Sequence, residues 1–391
     1  MTLRYARHRV LCALTGLLGG VLLAAAPASA IELGEWVRGL RLTPFISQKF
    51  EYESNVFQVP EDEQDDVIFT TIPGFILELS RSELTLSLGY RAEFLSFLDL
   101  TAQNTVHNFV ALQGRYETPR TLLTLRGDVI DTSEPPGTEL TGRIDSLTVS
   151  VAPEAEYRLT SRLSAGLNYS WRHVDYETQF DELDRDEHLV GGSVFWKFRP
   201  TADIGLNYSY GWLDFDTAPE RDATRHLVSV ILRGDLTAKL SSTLRFGYET
   251  RDGDLEDFQG FIMGGALTYR PGARTSVTLA VDRSLQESVF ATSAFYVTTI
   301  GVLTVEHQIR PRLSVRALAT LGNNDYPNEE TVDGRTDTRN DWIYGFGAGV
   351  EYEVLRWMRL GAQYTYEQRD SNFSAFDFTD HRAWLTVTFR Y

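Results

Sequence analysis

The stretch Arg162-Leu163-Ser164-Ala165-Gly166-Leu167-Asn168-Tyr169-Ser170-Trp171-Arg172 alternates without a break. Leu163, Ala165, Leu167, Tyr169 and Trp171 are apolar or aromatic, and no residue between them is a hydrophobe. In a β-strand successive side chains point to opposite sides of the pleat, so one face is greasy and the other hydrophilic. About ten such residues suffice for a tilted strand to cross hydrocarbon. The greasy series ends in Tyr and Trp, whose amphipathic rings suit a membrane interface. The stretch therefore reads as one stave of a transmembrane β-barrel.

The pattern recurs along the chain. Short turns fall at Ser80-Arg81-Ser82, Thr118-Pro119-Arg120, Thr160-Ser161, Arg199-Pro200-Thr201, Lys239-Leu240-Ser241, Arg270-Pro271-Gly272, Arg310-Pro311 and Leu355-Arg356. After each come an alternating strand, a longer polar loop and a second alternating strand. Tight turns at one end and long loops at the other are the asymmetry of bacterial outer-membrane barrels. Eight turns separate nine hairpins, which predicts an all-β, antiparallel up-and-down barrel of 18 strands, or 16 to 20 if a pair is miscounted. Tyr169, Trp171, Tyr210, Trp212, Tyr248, Tyr364 and Tyr366 precede long loops, and Tyr116, Tyr157, Trp196, Phe198, Tyr269, Tyr352 and Trp357 flank short turns. Two aromatic belts about 25 Å apart are what a lipid-facing band requires.

A soluble fold would need the same apolar faces in a dry core. A propeller, the soluble architecture with a comparable repeat, needs about four short strands per repeat, whereas each repeat here holds two long ones. Pro73 and Pro153 interrupt good strands. Proline removes a ladder donor, so each predicts a bulge or bend.

Arg4, Arg7 and Arg9 precede a mostly apolar run, and Ala28-Ser29-Ala30 has small residues where a signal peptidase cuts. Residues 1–30 thus read as a secretory signal cleaved after Ala30, and residues 31–391 as one barrel domain of the bacterial outer membrane. The single cysteine, Cys12, lies within that signal, so disulfides, cysteine metal sites and thiol nucleophiles drop out of the mature chain. The signal carries three arginines and no acid, which takes the formal charge from −17 to −20. Such acidity excludes nucleic acid as a partner, because phosphate binding needs clustered Lys and Arg. Mean hydropathy of −0.23 and the lack of a long apolar run after the signal exclude a helical membrane protein.

Ala383-Trp384-Leu385-Thr386-Val387-Thr388-Phe389-Arg390-Tyr391 closes the chain on an aromatic residue. Leu385, Val387, Phe389 and Tyr391 form the alternating end that outer-membrane barrels present to their assembly machinery. The chain's environment would then be outer-membrane lipid and lipopolysaccharide.

Chemistry-bearing patterns are sparse. His107, His173, His188, His226, His307 and His381 are scattered, and none pairs with a nucleophile or a metal ligand by spacing. No catalytic residue, metal site or cofactor is predicted. Glu61, Asp62, Glu63, Asp65 and Asp66, and Asp181, Glu182, Asp184, Asp186 and Glu187, make two loops acidic. Neither run has the alternation or turn glycine of a calcium loop, which favours a solvated, self-repelling loop over a divalent-cation site. On the hydrophilic face Arg91, Arg126, Arg172, Arg245, Arg316 and Arg359, with Glu93, Asp128, Glu249 and Glu367 as partners, are candidates to line the lumen. Such residues either brace the wall as ion pairs or set the charge preference of a pore.

The first hairpin carries the most specific pattern. Phe50-Glu51-Tyr52-Glu53-Ser54-Asn55-Val56-Phe57 leads through an acidic loop to Asp66-Val67-Ile68-Phe69-Thr70-Thr71-Ile72-Pro73-Gly74-Phe75. This resembles the opening of a bacterial family of outer-membrane β-barrel porins often encoded beside exopolysaccharide or capsule genes. The resemblance implies a conduit for exopolysaccharide export or for small hydrophilic solutes, with polysaccharide or export components as partners. It brings no catalytic residues. A non-conducting structural or adhesive barrel is the alternative of a different class, and an outer-membrane enzyme is a third.

Overall fold

The computed structural model describes residues 31–32, 39–135, 139, 143–289 and 293–391. Alternating sequence becomes strand almost throughout. Following the two-residue β1 (Ile31–Glu32) come β2 (Leu40–Glu53), β3 (Asp66–Ser80), β4 (Leu84–Phe97), β5 (Thr105–Glu117), β6 (Thr121–Thr132), β7 (Ser146–Arg158) and β8 (Leu163–Tyr176). The series continues with β9 (Arg185–Arg199), β10 (Ala202–Phe215), β11 (Ala223–Asp235), β12 (Leu240–Gly253), β13 (Phe258–Gly272) and β14 (Thr275–Glu287). It ends with β15 (Phe295–Arg310), β16 (Leu313–Val332), β17 (Arg335–Leu355), β18 (Met358–Ser371) and β19 (Phe378–Arg390). Each of β2 to β19 pairs antiparallel with its sequence neighbours, and β19 pairs back onto β2. The result is a closed barrel of 18 strands, which leaves no free sheet edge in lipid. β1 adds a short pairing to the start of β2.

Register decides which face is inside. Arg233 of β11 and Glu156 of β7 lie four strands apart, yet their side chains meet at 2.7 Å, so both point into the enclosed space. Directly opposed residues share a face. Glu156 opposes Gly166, Gly166 opposes Ser193, Ser193 opposes Asn207 and Asn207 opposes Ser229, which is on the face of Arg233. Along the remaining ladders the same assignment returns to Glu156 without conflict. Leu163, Ala165, Leu167, Tyr169 and Trp171 are thereby outside, and Leu167 and Leu206 are 70% and 59% exposed. A continuous band of bare large apolar side chains is tolerable only in lipid.

All eight short turns are present, with two displaced: Leu240 and Ser241 belong to β12, so that turn spans 236–239. Arg270, Pro271 and Gly272 remain in β13, and the turn is Ala273-Arg274, closed by Gly272 opposite Thr275. The two prolines make no bulge. Pairing lapses at residues 72–73 on the β4 side and 152–153 on the β8 side, but register is the same before and after each. A missing N–H removes a ladder bond on one side only, and Pro73 and Pro153 still oppose Ile46 and Leu125 on the other.

Four loops end in one device. A 3₁₀ turn is followed by Asn104, Asp184, Asp222 or Asp377, whose side chain accepts the backbone N–H of Phe97, Tyr176, Phe215 or Ser371 at 2.7–2.8 Å. Asx side chains satisfy such orphan donors readily. Asp66, expected as part of a solvated acidic run, is buried and accepts the N–H groups of Leu98, Asp99 and Leu100. Part of the loop acidity is thus structural.

Candidate functional site

The loop end of the barrel is crossed by the tip of one hairpin. Pairing of β13 with β14 stops at Met263–Arg283, and pairing of β15 with β16 stops at Val297–Asp325. Beyond those points β14 and β15 remain paired only with each other, up to Glu287–Phe295. Freed from both neighbours, the tip leans over the inner face of β12 and β13. Glu287 accepts two hydrogen bonds from Arg251 at 2.6 and 3.1 Å, and Phe295 meets Phe258 edge-on with centroids 5.6 Å apart. Phe295, Ala294 and Val297 are buried in a cluster with Phe258 and Leu285.

The tip then reaches the far wall. Glu139, in the β6–β7 loop, accepts Ser288 Oγ–H at 2.8 Å and Val289 N–H at 2.7 Å. β6 and β14 are eight places apart in a ring of eighteen, close to diametrically opposed. Val289 packs on Ile144, Val174, Tyr176 and Leu183. Arg221, from the β10–β11 loop, donates to the carbonyls of Ser288 and Ala294. Glu256, from the β12–β13 loop, accepts Ala294 N–H at 3.2 Å and the amide of Asn328 at 3.2 Å. Tyr296 stacks on Tyr326 at 4.9 Å, and the guanidinium of Arg339 lies over that second ring at 4.6 Å. Four separate stretches of wall are tied together through this tip.

Burial sets the charge state there. The Glu139 carboxyl is pushed up to about 7 by burial, against the hydrogen bonds of Val289 and Ser288 and the attraction of Arg339, while Glu330 adds repulsion. Glu256 is raised by burial as well, and burial lowers Arg221. None of these residues stood out in the sequence. Their partners lie far away along the chain, and although Val289 to Ala291 and Ala294 to Val297 break the alternation as contiguous apolar runs, nothing in those runs names a partner surface.

The candidate lining residues lie on the interior face by register. Arg91 bonds Glu93 at 2.8 Å, Arg126 approaches Glu154 at 3.7 Å and Arg172 approaches Glu187 at 3.9 Å. Arg316 approaches Glu306 at 3.8 Å and Arg359 approaches Glu351 at 3.6 Å. Arg245 has no carboxylate within ion-pair distance among the described residues. Asp128 does not partner Arg126: one methylene shorter than Glu93, it accepts Ser150 Oγ–H at 3.3 Å instead. Glu249 is buried two residues from Arg251, and Glu367 opposes Asp380. These arginines are thus mostly held as ion pairs along the wall.

Five of the six described histidines face outward. His188, His226 and His381 each share a hydrogen bond with a tyrosine hydroxyl, that of Tyr169, Tyr208 and Tyr364, at 2.8 Å, within the aromatic belt at the loop end. His173 stacks on Trp171, and His307 bonds Thr275. Among the described histidines His107 alone faces inward, where its Nε2 lies 2.9 Å from Ser133 Oγ. That Ser–His contact is buried, and Arg143 donates to the same hydroxyl. A nucleophile must be reachable and its base oriented by a third group, so the pair fits a brace for the loop better than a catalytic dyad. Among the described residues no group of three or more His, Asp or Glu is arranged to hold a metal.

At the chain end Leu385, Val387 and Phe389 face outward on β19, and Tyr391 donates its N–H to Pro44 at 3.0 Å. Ala28 and Ala30 lie outside the described residues.

A closed 18-strand barrel with a lipid-facing band, short turns, long loops and an inward tip defines the class of outer-membrane porins. The family described as "Putative beta-barrel porin 2" matches residues 28–391, and the chain belongs to it. Its fold is similar to that of Pseudomonas aeruginosa OccK1 (OpdK), with 11% identity over 91% of this chain and 100% of that one and a TM-score of 0.51. It is also similar to P. aeruginosa OpdQ (9% identity, 91% and 99% covered, TM-score 0.50) and to OccK2 (OpdF) in complex with glucuronate (10%, 90% and 99%, TM-score 0.50). No curated protein matches the chain. The protein is an outer-membrane β-barrel of porin type.

Proposed function

We propose that the chain is a passive conduit for small hydrophilic solutes, with its width set by the β14–β15 tip and not by the barrel wall. One observation carries the reading: the contact of Glu139 with Ser288 and Val289, which joins nearly opposite sides of the ring at the loop end. An inward segment of this kind limits size and leaves a polar wall for water and solute. A polysaccharide strand would need the tip to withdraw, so small solutes fit the geometry better than exopolysaccharide export. Leader cleavage after Ala30, delivery through Leu385 to Tyr391 and residence against lipopolysaccharide complete the proposal.

Single-channel recording tests it. Wild-type protein should give small, stable conductance steps, and replacement of residues 286–296 by a short Gly-Ser turn should give larger ones in a barrel that still folds. Silence from both proteins would favour a non-conducting structural barrel. Equal steps from both would place the narrowing elsewhere.

A further inference from the structure

Basic residues gather at the short-turn end. Seven of the eight turns contain Arg or Lys, and the eighth follows Arg199. Inside that end, between β5 and β11, lies a cavity of about 780 Å³. Six cations line it: Arg115, Arg120, Arg158, Arg162, Lys197 and Arg233. Only Glu117, Glu156 and Asp203 oppose them.

The carboxylates are already shared. Glu117 bonds Arg115 at 2.7 Å and Arg158 at 3.4 Å. Asp203 serves Arg233 at 3.3 Å and Lys197 at 3.9 Å, while Glu156 takes Arg233 at 2.7 Å and the hydroxyl of Ser164 at 2.6 Å. Arg120 and Arg162, at the turn tips, have no carboxylate within ion-pair distance among the described residues. Three positive charges are left over in a space of the size that holds small ligands. Its floor is rigid: the Arg233 guanidinium lies 3.6 Å from the Phe195 ring centroid and is held from two strands. Arg158 is anchored too, donating to the carbonyl of Pro119 at 3.0 Å.

We propose that this cavity is a binding site for a small solute bearing two or more carboxylate or phosphate groups. Arg120 and Arg162 supply the free charge, and the braced Arg158 and Arg233 supply a preorganised wall. The site does not depend on the barrel conducting, so it is tested apart from the conduit reading.

The test is calorimetric titration of the full chain, folded in zwitterionic detergent, with citrate and with inorganic pyrophosphate. Wild type should bind one equivalent of at least one probe, more weakly as salt is raised. Which probe binds separates carboxylate from phosphate chemistry. The pair Arg120→Ser and Arg162→Ser, which lies in turns and breaks no ion pair described above, should weaken binding about tenfold or more. Arg81→Ser with Arg356→Ser, in turns outside this cavity, should leave binding unchanged. Absence of binding by wild type, equal binding by the Arg120/Arg162 variant, or equal loss in the Arg81/Arg356 variant would overturn the proposal. Circular dichroism and heat-modifiable migration establish that each variant is folded.

Discussion

The contact that closes the mouth contains a titrating group, and this makes its strength a function of pH. Docking of the β14–β15 tip buries Glu139 and raises its pKa from 4.5 to about 7, so docking takes up a proton. The docked arrangement is favoured most below pH 4.5, and that advantage is lost as pH rises through about 7. Between those limits the difference is about 3 kcal/mol, on the order of a hundredfold in the ratio of docked to undocked tip. Single-channel occupancy of the low-conductance state should therefore fall as pH rises from 5 to 8. Glu139→Gln retains one acceptor oxygen and cannot ionise, so its occupancy should change much less across that range, with Glu256 on Ala294 supplying what slope remains. Glu139→Ala loses both hydrogen bonds and should favour the wider state at every pH by about 1–3 kcal/mol. Asp184, raised to about 6 by burial against the hydrogen bond from Tyr176, titrates in the same window, so Asp184→Asn is the control and should keep the slope. A slope undiminished in Glu139→Gln, or occupancy that rises with pH in wild type, refutes the reasoning.

Three other outcomes are expected. Leu167→Arg places a cation in mid-hydrocarbon and should cost about 2–4 kcal/mol in unfolding from lipid vesicles, whereas Asn168→Arg on the interior face should cost far less; equal losses would contradict the assignment of faces. Asp222→Ala removes the acceptor of Phe215 N–H and should speed hydrogen exchange at Phe215 about tenfold with the barrel intact; unchanged exchange would show that the contact carries no weight. Deleting Tyr391 should slow assembly in cells, read as loss of the heat-modifiable band, while leaving refolding into detergent unaffected; normal assembly would remove the role given to the chain end.

What could be read from the residues was whatever depends on period two. Every outward residue of the Arg162–Arg172 stave is where alternation puts it, because one face meets lipid and a one-residue slip would put every apolar side chain on the wrong side. Turn positions were legible from Pro, Gly and Ser, except where Leu240-Ser241 already belongs to β12 and where Pro271-Gly272 mimics a turn while its backbone still belongs to β13. Ion-pair partners were half legible. Glu93 reaches Arg91 along one strand, but Arg126 turns to Glu154 on the next, since cross-strand neighbours are as close as those two residues apart. The crossing of the mouth was not legible at all. It joins Glu139 to Ser288 and depends on where two ladders stop, which no local pattern records.

Charge is sorted along the barrel axis: eight of the nine loops carry more acid than base, while arginine and lysine crowd the opposite rim. The molecule is therefore an axial dipole with its negative pole beyond the longer connections. In a planar bilayer an applied voltage should insert it in one orientation, and current through it should rectify, with the favoured direction set by which pole an ion meets first.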